Sequence, residues 1–255
     1  MRQRRIAFAN RKGGCGKTAS AVNIAAGLAL CNRKVLLIDC DAQAHATISL
    51  GFSPYNLDLS LYDLLAGNNI DIDDVLKKIQ WPNGLFLIPA TSQLSALELE
   101  GPIARSRLAN NLSSSSINHF DYIIFDPPPT VGMLSIMSLM SAKEVMIPVQ
   151  THFLSMEALA EMVRFIYQMN ATLNPELRIS AIIPTFYNRT MQLSIEVVED
   201  IKKNFGEALV LPPVRQNVAL AEAPGFGQCI FHYAPSSIGA KDYKQLAKII
   251  DSLSE

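Results

Sequence analysis

The sequence predicts an α/β fold: a doubly wound, mostly parallel sheet with helices on both faces. Three observations carry that prediction. Short runs of β-branched and aliphatic residues recur along the chain, as in parallel strands covered on both faces. Helical stretches separate them. A glycine-rich loop follows the first run and leads straight into a helix.

Taken in order, residues 6–10 read as a buried strand, and the glycine-rich loop follows. Residues 17–31, rich in alanine and apolar side chains, read as a helix. Residues 35–38 are the second strand run. The same kind of run recurs at 85–88, 122–125, 145–149 and 179–183. Helices are expected at 155–170, at 191–205 and from about 240 to 253. No repeat, low-complexity stretch or Pro/Gly-rich linker interrupts the pattern, so residues 1–255 are expected to form a single domain. Ligands on such sheets sit beyond the C-terminal ends of the strands, so the chemistry is expected just after the strand runs.

Composition narrows the function classes. The 255 residues hold 22 Lys+Arg against 23 Asp+Glu, with 49% apolar and 18% charged residues. Disorder and coiled coil are excluded. The formal net charge of -1 gives no global attraction to nucleic acid, so such binding needs a local basic patch. No apolar run approaches the roughly 18 residues of a membrane span. The N-terminus enters a strand-like run without a signal-peptide core. A cytoplasmic protein without a membrane partner is the expectation. Cys15, Cys31, Cys40 and Cys229 form no CxxC pair, so no zinc or redox motif is suggested.

The loop reads Lys12-Gly13-Gly14-Cys15-Gly16-Lys17-Thr18, and its last three residues end a Walker A phosphate loop. Glycines let backbone N–H groups turn towards phosphate oxygens, and the next helix offers its positive end. Lys17 is then expected on the β/γ-phosphates and the Thr18 hydroxyl on Mg²⁺. The strict pattern wants glycine where Arg11 stands. A dinucleotide fingerprint, Gly14-x-Gly16-x-x-Ala19 with Asp39 some way on, also fits. Lys17-Thr18 argues against it, because only a triphosphate site with Mg²⁺ needs both residues.

Carboxylates follow two strand runs. Asp39 and Asp41 share one side of a strand end. Asp126, before Pro127-Pro128-Pro129, fits a Walker B acid that holds Mg²⁺ directly or through water. Asp41 is the candidate for orienting the attacking water. Asp39 is the weaker candidate, structural or reaching the metal through water. Cys15, at a helix N-terminus, reads first as a small residue that simply fits the loop; the alternative is a reactive thiol that alkylates in the apo protein and is protected by ATP. Tyr187 and Asn188, with the loop 212–216, are expected near the adenine.

Four ordered blocks resemble the ParA/MinD superfamily of deviant-Walker ATPases, and within it the small ParA/Soj partition proteins. They are 12–18, 35–47, 121–132 with 147–150, and 217–224 followed by Gly227, Tyr233 and Gly239-Ala240. The chain opens almost at the first block, as the short members do. The resemblance implies a deviant P-loop ATPase fold, ATP and Mg²⁺ as cofactors, and slow, partner-stimulated hydrolysis. It implies that residues 12–18 (Lys12, Gly13, Gly14, Cys15, Gly16, Lys17, Thr18) bind ATP. Lys12 would reach the partner's phosphates in an ATP-dependent sandwich homodimer, with Gly13 at the dimer face. Thr18 and Asp126 would hold the metal, and Asp41 would position the water. The dimer would bind double-stranded DNA without sequence specificity on the nucleoid, and a ParB-type protein would release it.

Arg189 falls where the family carries a DNA-contacting arginine, and Lys241, Lys244 and Lys248 share one helical face. The sequence departs from the family at Ala219, where many members are basic, and at Ala42 and His45. Arg215, Lys202 and Lys203 are candidates to compensate. The alternative is a ParA-like ATPase that positions a protein cargo or, like MinD, regulates division, with weak or no DNA binding. An iron–sulfur reductase lacks its cysteines here. An amidating synthase would bring an extra glutamine-hydrolysing domain, for which no chain remains.

Overall fold

The computed structural model describes residues 3–67, 70–113 and 117–253. The first half of the chain gives β1 (Arg4–Phe8), α1 (Lys17–Leu30), β2 (Val35–Asp39), α2 (His45–Ser49), α3 (Leu61–Leu65), α4 (Ile72–Val75), β3 (Lys77–Lys78), β4 (Leu85–Ile88) and α5 (Arg107–Asn111). The second half gives β5 (Tyr122–Asp126), α6 (Met133–Ser141), β6 (Glu144–Gln150), α7 (Ser155–Thr172), β7 (Arg178–Thr185), α8 (Gln192–Phe205), α9 (Val218–Glu222), α10 (Ile230–Tyr233) and α11 (Ile238–Ser252).

Among the described residues, seven strands form one sheet in the order β3-β4-β2-β5-β1-β6-β7. All neighbours are parallel except β3 and β4, which run antiparallel. The doubly wound fold expected from the sequence is therefore present. The apolar runs are buried on both sides: every residue of β2 and β5 is buried. One face packs under α6, α7 and α8, the other under α1 and α11.

Differences from expectation are local. The first strand ends at Phe8 and not at residue 10, because the Asn10 side chain turns to serve the following loop. The last helix starts earlier, at Ile238, because Ser237 caps it by accepting the Ala240 N–H at 3.1 Å. β3 consists of two lysines, one half-buried and one exposed, which carry no hydrophobic pattern to read.

The strand order fixes the site. β1, β2 and β5 lie side by side at the centre, and Asp39 stands level with Asp126 in the register. The loop after β1 and the acids after β2 and β5 therefore meet at one edge of the sheet.

Candidate functional site

The loop after β1 is held from both sides through its backbone. Asn10 is buried; its amide donates to the Pro148 carbonyl at 2.7 Å, and its oxygen accepts the Lys12 N–H at 3.1 Å. On the other side the Thr185 hydroxyl, at the end of β7, donates to the Cys15 carbonyl at 2.8 Å. Gly14 and Gly16 have φ of 73° and 85°, a left-handed conformation that favours glycine. A Cβ at Gly13 or Gly14 would meet nothing within 4 Å, so this side of the loop is open. α1 begins without a side-chain cap and without an acid in its first turn. Its leading N–H groups and the positive end of its dipole are left for an anion. Lys17 is buried, and its ammonium donates to the Lys12 carbonyl at 3.4 Å.

The two level acids differ in what surrounds them. Asp39 is fully engaged. Its Oδ2 accepts the Thr47 N–H at 2.8 Å and the Thr47 hydroxyl at 2.7 Å, and its Oδ1 accepts the Asp41 N–H at 3.2 Å. Thr47 Oγ1 in turn accepts the Ala90 N–H at 2.9 Å. Asp39 thus ties β2 to α2 and to the chain after β4. Asp126 is equally buried, yet neither carboxylate oxygen has a hydrogen-bond partner at bonding geometry. Burial pushes both acids up, Asp39 to about 6, against its bonds from Thr47. Asp126 is held well above the usual carboxylate range by burial and then by the Asp39 charge, while the Thr18 hydroxyl and the Lys17 ammonium pull it back.

Asp41 is half-buried in a turn: its Oδ1 accepts the Gln43 N–H at 2.9 Å, and its carbonyl accepts the Ala44 N–H at 2.8 Å. A cleft of about 660 Å³ opens over these groups. Lys17 and Thr18 line it from the loop, Asp41 from the turn, Pro128 and Thr130 from the segment after β5. That volume suits a small-molecule ligand. Thr18 and Asp126 together offer the hydroxyl and carboxylate oxygens that a hard cation takes. An unpartnered buried carboxylate is the feature a bound cation would satisfy.

The structure bears on three further residues. Cys15 is 1% exposed, and burial pushes its thiol pKa up despite nearby Lys17, so ready alkylation does not follow. Phe186, at a left-handed φ of 53°, lines the cleft after β7, and Tyr187 is not among the lining residues. Tyr187 pairs with Arg215 in a parallel bridge, so the two late segments do meet. His45 is exposed at the cleft, and no cluster of metal-ligating side chains occurs among the described residues.

A family model described as an AAA domain matches residues 3–179. The chain is 38% identical over 246 residues to the sporulation initiation inhibitor protein Soj of Bacillus subtilis, covering 95% of this chain and 96% of that one. It is 35% identical over 251 residues to the chromosome partitioning protein ParA of Caulobacter vibrioides, covering 97% and 93%. The chain belongs to the ParA/Soj family of P-loop ATPases. Its fold also matches the crystal structure of cobyrinic acid a,c-diamide synthase from Mycobacterium smegmatis with bound ADP and magnesium. That match has a TM-score of 0.82 at 28% identity, over 97% of this chain and 94% of that one. Chain length therefore does not separate an amidating synthase from a ParA/Soj protein. The higher identity to ParA and Soj does.

The residues expected to meet DNA are not among those that line the cleft. Lys241, Lys244 and Lys248 are all exposed along α11, and Arg189 is exposed after β7. Arg215 is not available to add to them: its guanidinium and its N–H both bond the Asp242 carboxylate, at 2.9 Å for the N–H. Lys202 pairs with Glu199 at 2.9 Å. Ala219 packs against the core under α1 and α11. Among the described residues, no helix is long and apolar enough to cross a membrane. Sequence reasoning missed Asn10, Thr185 and Phe186. Their contacts join segments far apart in the chain, and only Phe186 gave a signal, as the aromatic neighbour of Tyr187.

Proposed function

We propose that the protein is a cytoplasmic, nucleoid-associated ATPase of chromosome or plasmid partitioning, folded as one domain, that dimerises around ATP. One observation carries the reading: the phosphate loop opens on the cleft, and its Lys17 and Thr18 stand against the unpartnered Asp126. ATP and Mg²⁺ are its cofactors. Thr18 and Asp126 would hold the cation, with Asp41 as the residue that would reach it through water. Asp39 has both oxygens engaged and serves as a positioning residue for α2. When bound, Mg²⁺ offsets the phosphate charge during transfer.

The chain's own residues do the rest. The loop N–H groups and the α1 N-terminus bind phosphate oxygens, and Lys17 neutralises them. Asp41 orients the attacking water. Lys12 crosses to the phosphates held by a second copy, so hydrolysis depends on dimerisation, as with an arginine finger supplied in trans. The open face at Gly13 and Gly14 permits that close approach. Arg189, Lys241, Lys244 and Lys248 hold the phosphate backbone of double-stranded DNA without reading bases. Hydrolysis is slow until a ParB-type protein stimulates it and the dimer leaves DNA.

The alternative is a ParA-like ATPase that positions a protein cargo or regulates division. Ala219 and the ion-paired Arg215 favour it, since neither can add to the basic face. Retention of non-specific double-stranded DNA separates the two. It is measured with ATP, with ADP and without nucleotide, across a salt series, with Lys17→Ala as control. ATP-dependent binding that falls steeply with salt supports partitioning. Absence of binding at low salt, in protein that dimerises and hydrolyses ATP, supports the cargo reading.

A further inference from the structure

A carboxylate seated on a helix N-terminus shapes the wall of the cleft opposite the phosphate loop. α6 starts directly after residues 127–132, the segment that leaves Asp126. In its first turn, Glu98 Oε2 accepts the Met133 N–H at 2.6 Å and Glu98 Oε1 accepts the Leu134 N–H at 3.3 Å. Glu98 belongs to a separate stretch, the 3-10 helix Ser92–Leu99. These are charge-assisted bonds to the positive end of α6. Gly132, at the N-cap, supplies no side chain of its own. A Cβ there would overlap Glu98 Oε2, so glycine is what lets the carboxylate in. From inside the same turn, the Ser135 hydroxyl bonds the Pro128 carbonyl at 3.1 Å and the Thr130 carbonyl at 2.5 Å. Residues 127–132 are thus tied to α6 by Ser135, and α6 is tied to the rest of the chain by Glu98. Pro128, Thr130, Leu134 and Glu98 itself line the cleft.

We propose that Glu98 is a positioning residue for ATP hydrolysis: it latches α6, and through it the segment 127–132, in the place where that segment completes the cleft. The effect on hydrolysis rests on the ATPase reading above; the latch itself does not. Glu98 needs no contact with the reacting atoms. It fixes the wall next to Asp126, and small displacements of such a wall slow turnover more than they weaken binding.

The test compares wild type with Glu98→Ala, Glu98→Gln and Gly132→Ala, with Glu100→Gln as control. Glu100 pairs with Arg107 at 2.7 Å and does not line the cleft. Amide hydrogen exchange is followed in the nucleotide-free full chain, and kcat and KM for ATP are measured separately. In Glu98→Ala, exchange over residues 130–136 is expected to rise about tenfold. The kcat is expected to fall about five- to tenfold with KM changed less than about twofold. Gly132→Ala, which expels the carboxylate while leaving it in the chain, should reproduce both effects. Glu98→Gln keeps one acceptor oxygen and should fall between, and Glu100→Gln should match wild type. Unchanged exchange in both Glu98→Ala and Gly132→Ala would overturn the latch, as would a kcat that stays level or rises when it is removed. Wild type that fails to hydrolyse ATP would sink the ATPase reading instead, and the exchange comparison would still decide whether Glu98 holds the segment.

Discussion

In the cleft, Lys17 is 7% exposed and Asp126 1% exposed, the acid without a hydrogen-bond partner; along α11, three lysines stand in water outside any ion pair found among the described residues. Both regions carry charged side chains, and they carry them at different cost. A buried carboxylate without a partner at bonding geometry destabilises the nucleotide-free protein, a cost that a bound cation would relieve. An exposed lysine costs almost nothing and is compatible with either binding or plain solvation. Function can be inferred from the first region by a physical argument. The second needs a measurement.

The sharpest way to break the comparison is to remove the cleft's cations. Lys12→Ala should lower ATP hydrolysis at least about a hundredfold and leave ATP binding within about threefold, as for a charge supplied in trans. Lys17→Ala should lose binding as well. Titration with a fluorescent nucleotide, set beside turnover, separates the two. If Lys12→Ala turns over like wild type, hydrolysis is completed within one chain.

Asp126→Asn tests the cost directly. The nucleotide-free variant should be more stable than wild type by about 1–3 kcal/mol at pH 7.5, while hydrolysis falls at least about tenfold. The sign follows from the raised pKa of Asp126. A carboxyl whose native pKa is raised contributes most stability when protonated and loses it as pH rises through that value. The advantage of the variant should therefore shrink as pH falls towards 4, which urea unfolding at several pH values would reveal. An advantage independent of pH would mean that Asp126 titrates alike in the folded and unfolded chain, so that burial does not raise its pKa.

The α11 face is probed by the triple variant Lys241→Ala, Lys244→Ala, Lys248→Ala. Its basal hydrolysis should match wild type. The slope of log affinity for DNA against log salt should fall by about 0.9 for each phosphate no longer neutralised. An unchanged slope assigns these lysines to solvent and moves the weight to Arg189. The smallest effect concerns Cys15. Its labelling by iodoacetamide at pH 7.5 should be at least about tenfold slower than that of an exposed thiol, with little further protection by ATP. Mass spectrometry of labelled peptides measures both.

The cleft was legible in the sequence because its residues come in short, ordered runs. Gly13 to Thr18 lie together, and the acids sit at the ends of apolar strands whose register then aligns them. Strand ends were legible to within a few residues for the same reason. What was not legible depends on distant partners. Glu98, next to Leu97 and Leu99 and two residues from Glu100, carries no signal until α6 is brought to it. Asn10 reads as the end of a strand until Pro148 is found beside it. On α11, Asp242 carries no signal in the sequence, whereas it is the buried partner of Arg215.

The packing of α1 against α11 has a mechanical consequence. A Cβ at Gly27 would lie 2.7 Å from the Ala247 Cβ, so the two helices touch with less than a methyl group's clearance. Nearer the phosphate loop, Ser20 Oγ and the buried Tyr243 hydroxyl are 3.1 Å apart. Helices joined at two points along their length resist sliding past one another. The helix that begins at the loop and the helix that displays the lysines therefore share one close-packed seam.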